Sequence, residues 1–146
     1  MKIQRVNIRQ SAVQTRLSVL QKKCLPYDKP YETDHGYWWI ATKDGVDCGF
    51  AGLVYSSRWS DCGYLVRCGV VPNCRGQALQ KKFIRVRIRQ AKALGLNWLI
   101  TSTYDNPASA NSLISCGFKM FNPTNPWMTK HTSYWRLKLE LSLIHI

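Results

Sequence analysis

The run Val70-Val71-Pro72-Asn73-Cys74-Arg75-Gly76-Gln77-Ala78-Leu79 joins an apolar, strand-like segment to an amphipathic, helix-like one. A helix that starts this way presents backbone N–H groups without intrahelical partners, together with the positive end of its dipole, and both attract anions. Gly76 and the small Ala78 allow close approach to the main chain, and Arg75 adds a charge. The chemistry expected of this segment is the holding of a pyrophosphate. It lacks the Gly-Lys-Ser/Thr ending of a Walker A loop and the Gly-x-Gly-x-x-Gly of a dinucleotide fingerprint, so neither scheme applies. An ordinary strand-loop-helix junction, in which Gly76 merely turns the chain, is the other reading of the same residues.

The pattern on either side defines what must position this turn. Ile3 to Ile8 alternate as a half-buried strand, and Ser11 is placed to cap a helix to about Lys23 with Val13, Leu17 and Leu20 on one face. Cys24 to Gly36, with Pro26, Pro30, several acids and His35, reads as an irregular loop or a broken second helix. Strands follow from Tyr37, divided by an Asp44-Gly45 hairpin turn, and again from Tyr64 to Val71 after a turn at Asp61-Cys62-Gly63. Leu79, Phe83, Val86 and Ala91 mark the apolar face of a helix ending near Gly95, whose other face carries Lys81, Lys82, Arg85, Arg89 and Lys92. Asn97 to Thr103 is a buried strand, Asn106 to Ser115 a short helix closed by Gly117, and Phe118 to Phe121 and Tyr134 to Leu141 are the last strands. The expected architecture is a single α/β (α+β) three-layer domain over residues 1–146, with a core of about 1–140. Its mixed, mostly antiparallel sheet has six or seven strands flanked by about four helices.

Lys and Arg number 21 against 8 Asp and Glu, a formal +13, yet 45% of the 146 residues are hydrophobic and 12% aromatic. A disordered polycation is thereby excluded. The charge favours anionic partners without choosing among nucleic acid, acidic protein, anionic lipid and phosphorylated small molecules. No apolar stretch approaches the roughly 20 residues of a bilayer-spanning helix, and the N-terminus has no apolar signal core, so a cytoplasmic protein is expected. The six cysteines form no CxxC pair and the histidines stand apart, which points to buried reduced thiols and no metal site.

Two stretches together resemble the N-acetyltransferases of the GNAT superfamily. Val70-x-Pro72-x-x-Arg75-Gly76-x-Ala78 resembles motif A of that family, and Asn106-Pro-Ala-Ser109-x-x-x-Leu113-x-x-x-Gly117-Phe118 resembles motif B, in the family's order and separation. The resemblance implies a V-shaped splay between the fourth and fifth strands, with acetyl-coenzyme A as co-substrate lying in it. It assigns the pantetheine arm and the thioester carbonyl to the backbone of Val70 and Val71. The pyrophosphate falls to the main chain of Arg75, Gly76, Gln77, Ala78 and Leu79, and Asn106 and Ser109 of motif B complete the cofactor contacts. The implied reaction is acetyl transfer to a primary amine by direct attack in a ternary complex, by a monomer or homodimer.

The chain departs from the family at two places. Asn73 stands where motif A begins with Gln or Arg, and Leu113 stands where many members have the Tyr that protonates the leaving thiolate. Tyr134 is then the first candidate for that acid, with Tyr104 a second. An attacking amine, protonated at neutral pH, must also lose a proton. Glu32, Asp34 and His35 on the irregular segment, and Asp105 after the fifth strand, are the candidate bases; Asp105 equally suits a helix cap. Trp59 beside Arg58 is expected to be exposed, where it could stack on bases. The alternative function is a basic module of the same fold, weak or inactive in catalysis, that binds nucleic acid or an acidic protein.

Overall fold

The structure is a computed structural model that describes residues 1–76 and 78–140, so the expectations for Gln77 and for the tail 141–146 lie outside the described residues. Its elements are β1 (Lys2–Val6), α1 (Ser11–Cys24), β2 (Tyr37–Lys43), β3 (Val46–Tyr55), β4 (Cys62–Val70), a 3-10 turn (Pro72–Cys74), α2 (Leu79–Ala93), β5 (Trp98–Thr103), α3 (Pro107–Ser115), β6 (Lys119–Phe121) and β7 (Ser133–Lys138). The strands form one seven-stranded sheet in the order β1-β2-β3-β4-β5-β7-β6. β4 and β5 are parallel, while β1–β2, β2–β3, β5–β7 and β6–β7 are antiparallel. The expected mixed sheet is therefore present, but the described residues form three α-helices rather than about four. Residues 25–36 form neither helix nor strand, because Pro26 and Pro30 remove backbone donors and disfavour helix before them.

Several boundaries differ from the expected ones for local reasons. Helical bonding begins one residue early, with the Gln14 N–H on the Gln10 carbonyl, so Gln10 rather than Ser11 is the N-cap, and its side chain makes no capping bond. The β2–β3 hairpin turns as expected: Asp44 and Gly45 have φ of 52° and 78°, the pair of positive values that a primed turn requires. The next turn falls earlier than expected, at Ser60-Asp61, and Cys62 and Gly63 already belong to β4. The Ser56 N–H on the Cys62 carbonyl closes it. α2 and α3 end alike: Gly95 and Gly117 turn left-handed, and the N–H groups of Leu96 and Phe118 reach back to the carbonyls of Ala91 and Leu113.

The chain divides into two compact units, Met1–Val54 with Val66–Phe83, and Tyr55–Leu65 with the residues from Ile84 on. In the first, Leu17 and Leu20 of α1 and Trp38, Ile40, Phe50 and Leu53 of the sheet are essentially fully buried. Trp38 lies opposite Gly52 in the β2–β3 register, and its ring covers that glycine so closely that a Cβ there would sit 2.6 Å from ring carbons. α1 also supplies the hydrogen bonds that the irregular loop cannot make for itself. The Gln21 amide donates to the Tyr31 carbonyl (3.0 Å) and accepts the Tyr31 N–H (2.8 Å), while the Gln14 amide donates to the carbonyls of Ile8 and Thr33 (2.8 and 2.9 Å).

In the second unit, Leu96, Leu99, Ile100, Leu113, Phe118, Tyr134, Trp135 and Leu139 form the core. Arg87 of α2 is buried, at 3% exposure, whereas its neighbour Val86, expected on the apolar face, is half-buried. At 100° per residue, Arg87 falls between Phe83 and Ala91 on the helix surface, and no buried side-chain N or O among the described residues lacks a hydrogen-bond partner. The parallel register of β4 with β5 covers Cys62 to Tyr64 against Trp98 to Ile100. At the next residue the buried Thr101 hydroxyl takes the Leu65 carbonyl at 2.9 Å. β4 runs on to Val70 beyond this point, the divergence that a V-shaped splay requires.

Two substitutions test these constraints. Gly52→Ala forces its Cβ into the Trp38 ring and is expected to cost about 1–3 kcal/mol in urea unfolding, as overpacked cores do. Thr101→Val keeps the shape but leaves the Leu65 carbonyl buried without its donor, with an expected loss of about 1–3 kcal/mol; an unchanged midpoint would remove Thr101 from the account of the strand divergence.

Candidate active site

In the first unit the end of β4 is locked before the helix begins. The Val71 N–H donates to the Cys48 carbonyl of β3 at 2.9 Å, and the Val71 carbonyl accepts the Cys74 N–H at 2.9 Å, closing the 3-10 turn. Strand and helix are thus not joined directly, as the sequence pattern suggests, because Pro72 starts a turn of its own. Backbone amides alternate in direction along an extended strand. With Val71 N–H aimed at β3, the Val70 N–H points to the opposite edge of β4.

After this turn, Gly76 has φ +83° and Ala78 has φ +56°, the left-handed region that costs an L-residue roughly 1–2 kcal/mol. A Cβ built on Gly76 meets nothing within 4 Å, so the space over this stretch of main chain is open. The first bond of α2 runs from the Lys82 N–H to the Ala78 carbonyl at 3.2 Å, which aims the N–H groups ahead of Lys82 out of the helix start. Leu79 anchors that start in the core at 2% exposure. The first turn holds no acid, and Arg75 folds its Nε onto the Val70 carbonyl at 3.2 Å. The structure therefore brings Val70, Val71, Arg75, Gly76, Ala78 and Leu79 into one local feature, an open and positively polarised turn.

The same unit carries the irregular loop. Glu32 is exposed there. The groups gathered beside it are Asp34, whose carboxylate takes His35 Nδ1 at 2.9 Å, and Tyr31, whose hydroxyl lies 3.3 Å from His35 Nε2. The hydrogen bond from His35 holds the Asp34 carboxyl below its usual range. Arg67 of β4 fixes the loop through Asp28 (3.0 Å) and the Lys29 carbonyl (2.9 Å).

In the second unit the cap of α3 is Asn106, not Asp105. The Asn106 Oδ1 accepts the Ser109 N–H at 3.1 Å, whereas Asp105 is exposed in a left-handed conformation with φ 46°, which turns it away from the capping position. Leu113 is buried. Tyr134 is buried as well, its hydroxyl accepts the Met128 N–H at 3.0 Å, and its ring stands edge-on to Trp127 at 4.6 Å. Trp127 Nε1 donates to the Tyr64 hydroxyl (3.2 Å), which lies 3.0 Å from the Ser102 hydroxyl. Sequence reading did not single out Tyr64, Thr101 or Ser102. The signal was present in the polar end of β5, Thr101-Ser102-Thr103, in an otherwise apolar strand. Tyr104 is 61% exposed, away from these groups.

Trp59 is exposed, as expected, and its ring also has aromatic neighbours. It is 40% exposed and packs against Phe121 and Trp127 at 5.7 Å each, and Arg58 lies over Trp127 at 4.9 Å rather than over Trp59. None of the six cysteines is joined in a disulfide. Burial pushes the Cys24 and Cys48 thiols up to about 11 and Cys62 up to about 12, so these three stay protonated and poorly nucleophilic at neutral pH. Among the described residues no three His, Cys, Asp or Glu side chains gather as a metal site, and no helix is long and apolar enough to cross a membrane.

No curated protein matches the chain in sequence. Among solved structures, an IAA acetyltransferase from Bacillus cereus superposes with a TM-score of 0.75 at 16% identity, covering 94% of this chain and 99% of that one. A Bacillus subtilis acetyltransferase in complex with CoA gives 0.74 at 14% identity, over 95% and 99% of the two chains. The yncA protein of Salmonella typhimurium, solved with its cofactor acetyl-CoA, gives 0.71 at 17% identity, over 97% and 95%. At such identities the likeness is one of fold. Residues 6–118 match the sequence model of the acetyltransferase (GNAT) family, a span that includes the turn after β4 and the capped start of α3. By that match and by its sheet, the chain belongs to the GNAT family of acetyltransferases.

Proposed function

We propose that the protein is a cytoplasmic N-acetyltransferase that moves the acetyl group of acetyl-CoA to a primary amine by direct attack. The observation that carries this reading is the open turn between β4 and α2. Its left-handed Gly76 and Ala78, its acid-free helix start and Arg75 fit a pyrophosphate. The main chain from Arg75 to Leu79, Gln77 included, holds the phosphates. The Val71 N–H and carbonyl already have internal partners. The thioester carbonyl therefore falls to the Val70 N–H, which stabilises the negative charge that develops on that oxygen during attack.

The remaining roles fall to side chains. The Asn106 oxygen is committed to its cap, so its NH2 end is the group for the pantetheine arm, with Ser109 beside it on α3. Tyr134 receives an N–H from Met128 and keeps its own proton as a donor for the leaving thiolate. That takes over the task of the tyrosine which Leu113 replaces. Glu32 and Asp105, both exposed, are the carboxylates available to accept the proton of the attacking amine, directly or through water.

A second reading is favoured by one observation. Leu113 buries an apolar group where an acid would act, as a binding module without turnover would. Two variants separate the readings. Gly76→Trp has room for its Cβ, so the chain is expected to fold while acetyl-CoA binding by isothermal titration weakens at least 100-fold; normal binding would displace the pyrophosphate from this turn. Tyr134→Phe is expected to lower kcat about 100-fold or more with KM for acetyl-CoA little changed, the scale of a lost proton donor. Wild-type binding of acetyl-CoA with no acetylation across a mass-spectrometric panel of amines would favour the binding module.

A further inference from the structure

α2 contains no Asp or Glu and six basic residues. At 100° per residue, Lys81, Lys82, Arg85, Arg89 and Lys92 fall within an arc of about 100°, opposite the arc of Leu79, Phe83, Ile84, Arg87 and Ala91. Lys82, Arg85, Arg89 and Lys92 are exposed and Lys81 is half-exposed. The ion pairs of Arg16 with Asp47, His35 with Asp34 and Arg67 with Asp28 all lie off this arc.

A solvated helix face ordinarily interleaves acids with bases at i,i+3 and i,i+4. Here the pairs Lys82–Arg85, Arg85–Arg89 and Arg89–Lys92 are all like-charged, an arrangement that destabilises a helix. An external polyanion would relieve that repulsion. We propose that the outer face of α2 is a docking surface for the phosphate backbone of double-stranded nucleic acid, read without regard to sequence.

The composition of the arc selects this partner. An acidic protein would need an apolar or aromatic centre to its interface, and a single strand would need exposed aromatic rings on which to stack. The arc offers neither: the apolar residues at its margins are the half-buried Ile88 and the small, exposed Ala93, and no aromatic ring lies on it. From Lys82 to Lys92 the stripe is about 15 Å long. Duplex of that length presents roughly nine phosphate charges, enough to pair every cation on the arc.

The test is fluorescence anisotropy with a labelled 20-base-pair duplex of arbitrary sequence between 25 and 200 mM salt. Five phosphate contacts predict a slope of log affinity against log salt of about −4.5 for the full chain. In the Arg85→Ala/Arg89→Ala/Lys92→Ala variant the slope is expected to fall to about −1.8, with affinity at 50 mM salt at least 30-fold weaker. Thermal unfolding of that variant should occur at or above the parent's temperature, since like-charged pairs are removed and alanine favours helix, and its acetyl-CoA titration should match the parent chain, which keeps this outcome distinct from failure of the acetyltransferase reading. The proposal is overturned by an absence of duplex binding at 25 mM salt, by a variant with the parent's slope, or by polyglutamate or single strands binding as tightly as duplex.

Discussion

The parallel pairing of β4 with β5 is the constraint on which the rest of the molecule depends. Two parallel neighbours cannot be joined by a tight turn, so the chain must leave β4, cross over and return. The Pro72–Cys74 turn and α2 are that crossover. Its first consequence is that a helix N-terminus follows the strand end after a short 3-10 turn, and its second is that the intervening main chain must bend sharply. Gly76 and Ala78 absorb the bend in left-handed conformations. The open turn is thus a by-product of topology, and the first turn of the helix that follows it carries no acid.

The same pairing is also cut short. Ladder bonds between β4 and β5 cover three residues on each strand, after which the Thr101 side chain takes the place of the backbone donor at Leu65. A side chain can do this at the point where strands separate because it reaches farther than the main chain. The Ser102 hydroxyl meets Tyr64 one residue later. The polar end of β5 thus satisfies the strand end that divergence exposes, and the apolar beginning of the same strand is buried.

Much of this was legible in the residue pattern. The order of elements, the Asp44-Gly45 hairpin, the basic face of α2 and the motif-bearing turn all follow from local periodicity and turn chemistry. The motifs alone carried the resemblance to the acetyltransferase family that the fold and the family match bear out. What escaped reading involved partners distant in sequence. Gln14 and Gln21 look like ordinary polar helix positions, yet their amides replace the backbone bonds that residues 25–36 lack. Arg87 looks like one more cation on a basic helix, yet it is buried.

The sequence by itself determined the order of elements in a sheet of six or seven strands, the crossover helix and the residues of the strand-to-helix turn, because each of these depends on residues within a few positions of one another. Only the tertiary structure decided that the Val71 amide is already spent on Cys48, that Asn106 rather than Asp105 caps α3, and that the exposed Trp59 has Phe121 and Trp127 as ring neighbours. The reason is physical. A backbone amide or an aromatic ring takes whichever partner the packed fold brings within reach, and no local pattern carries that distance.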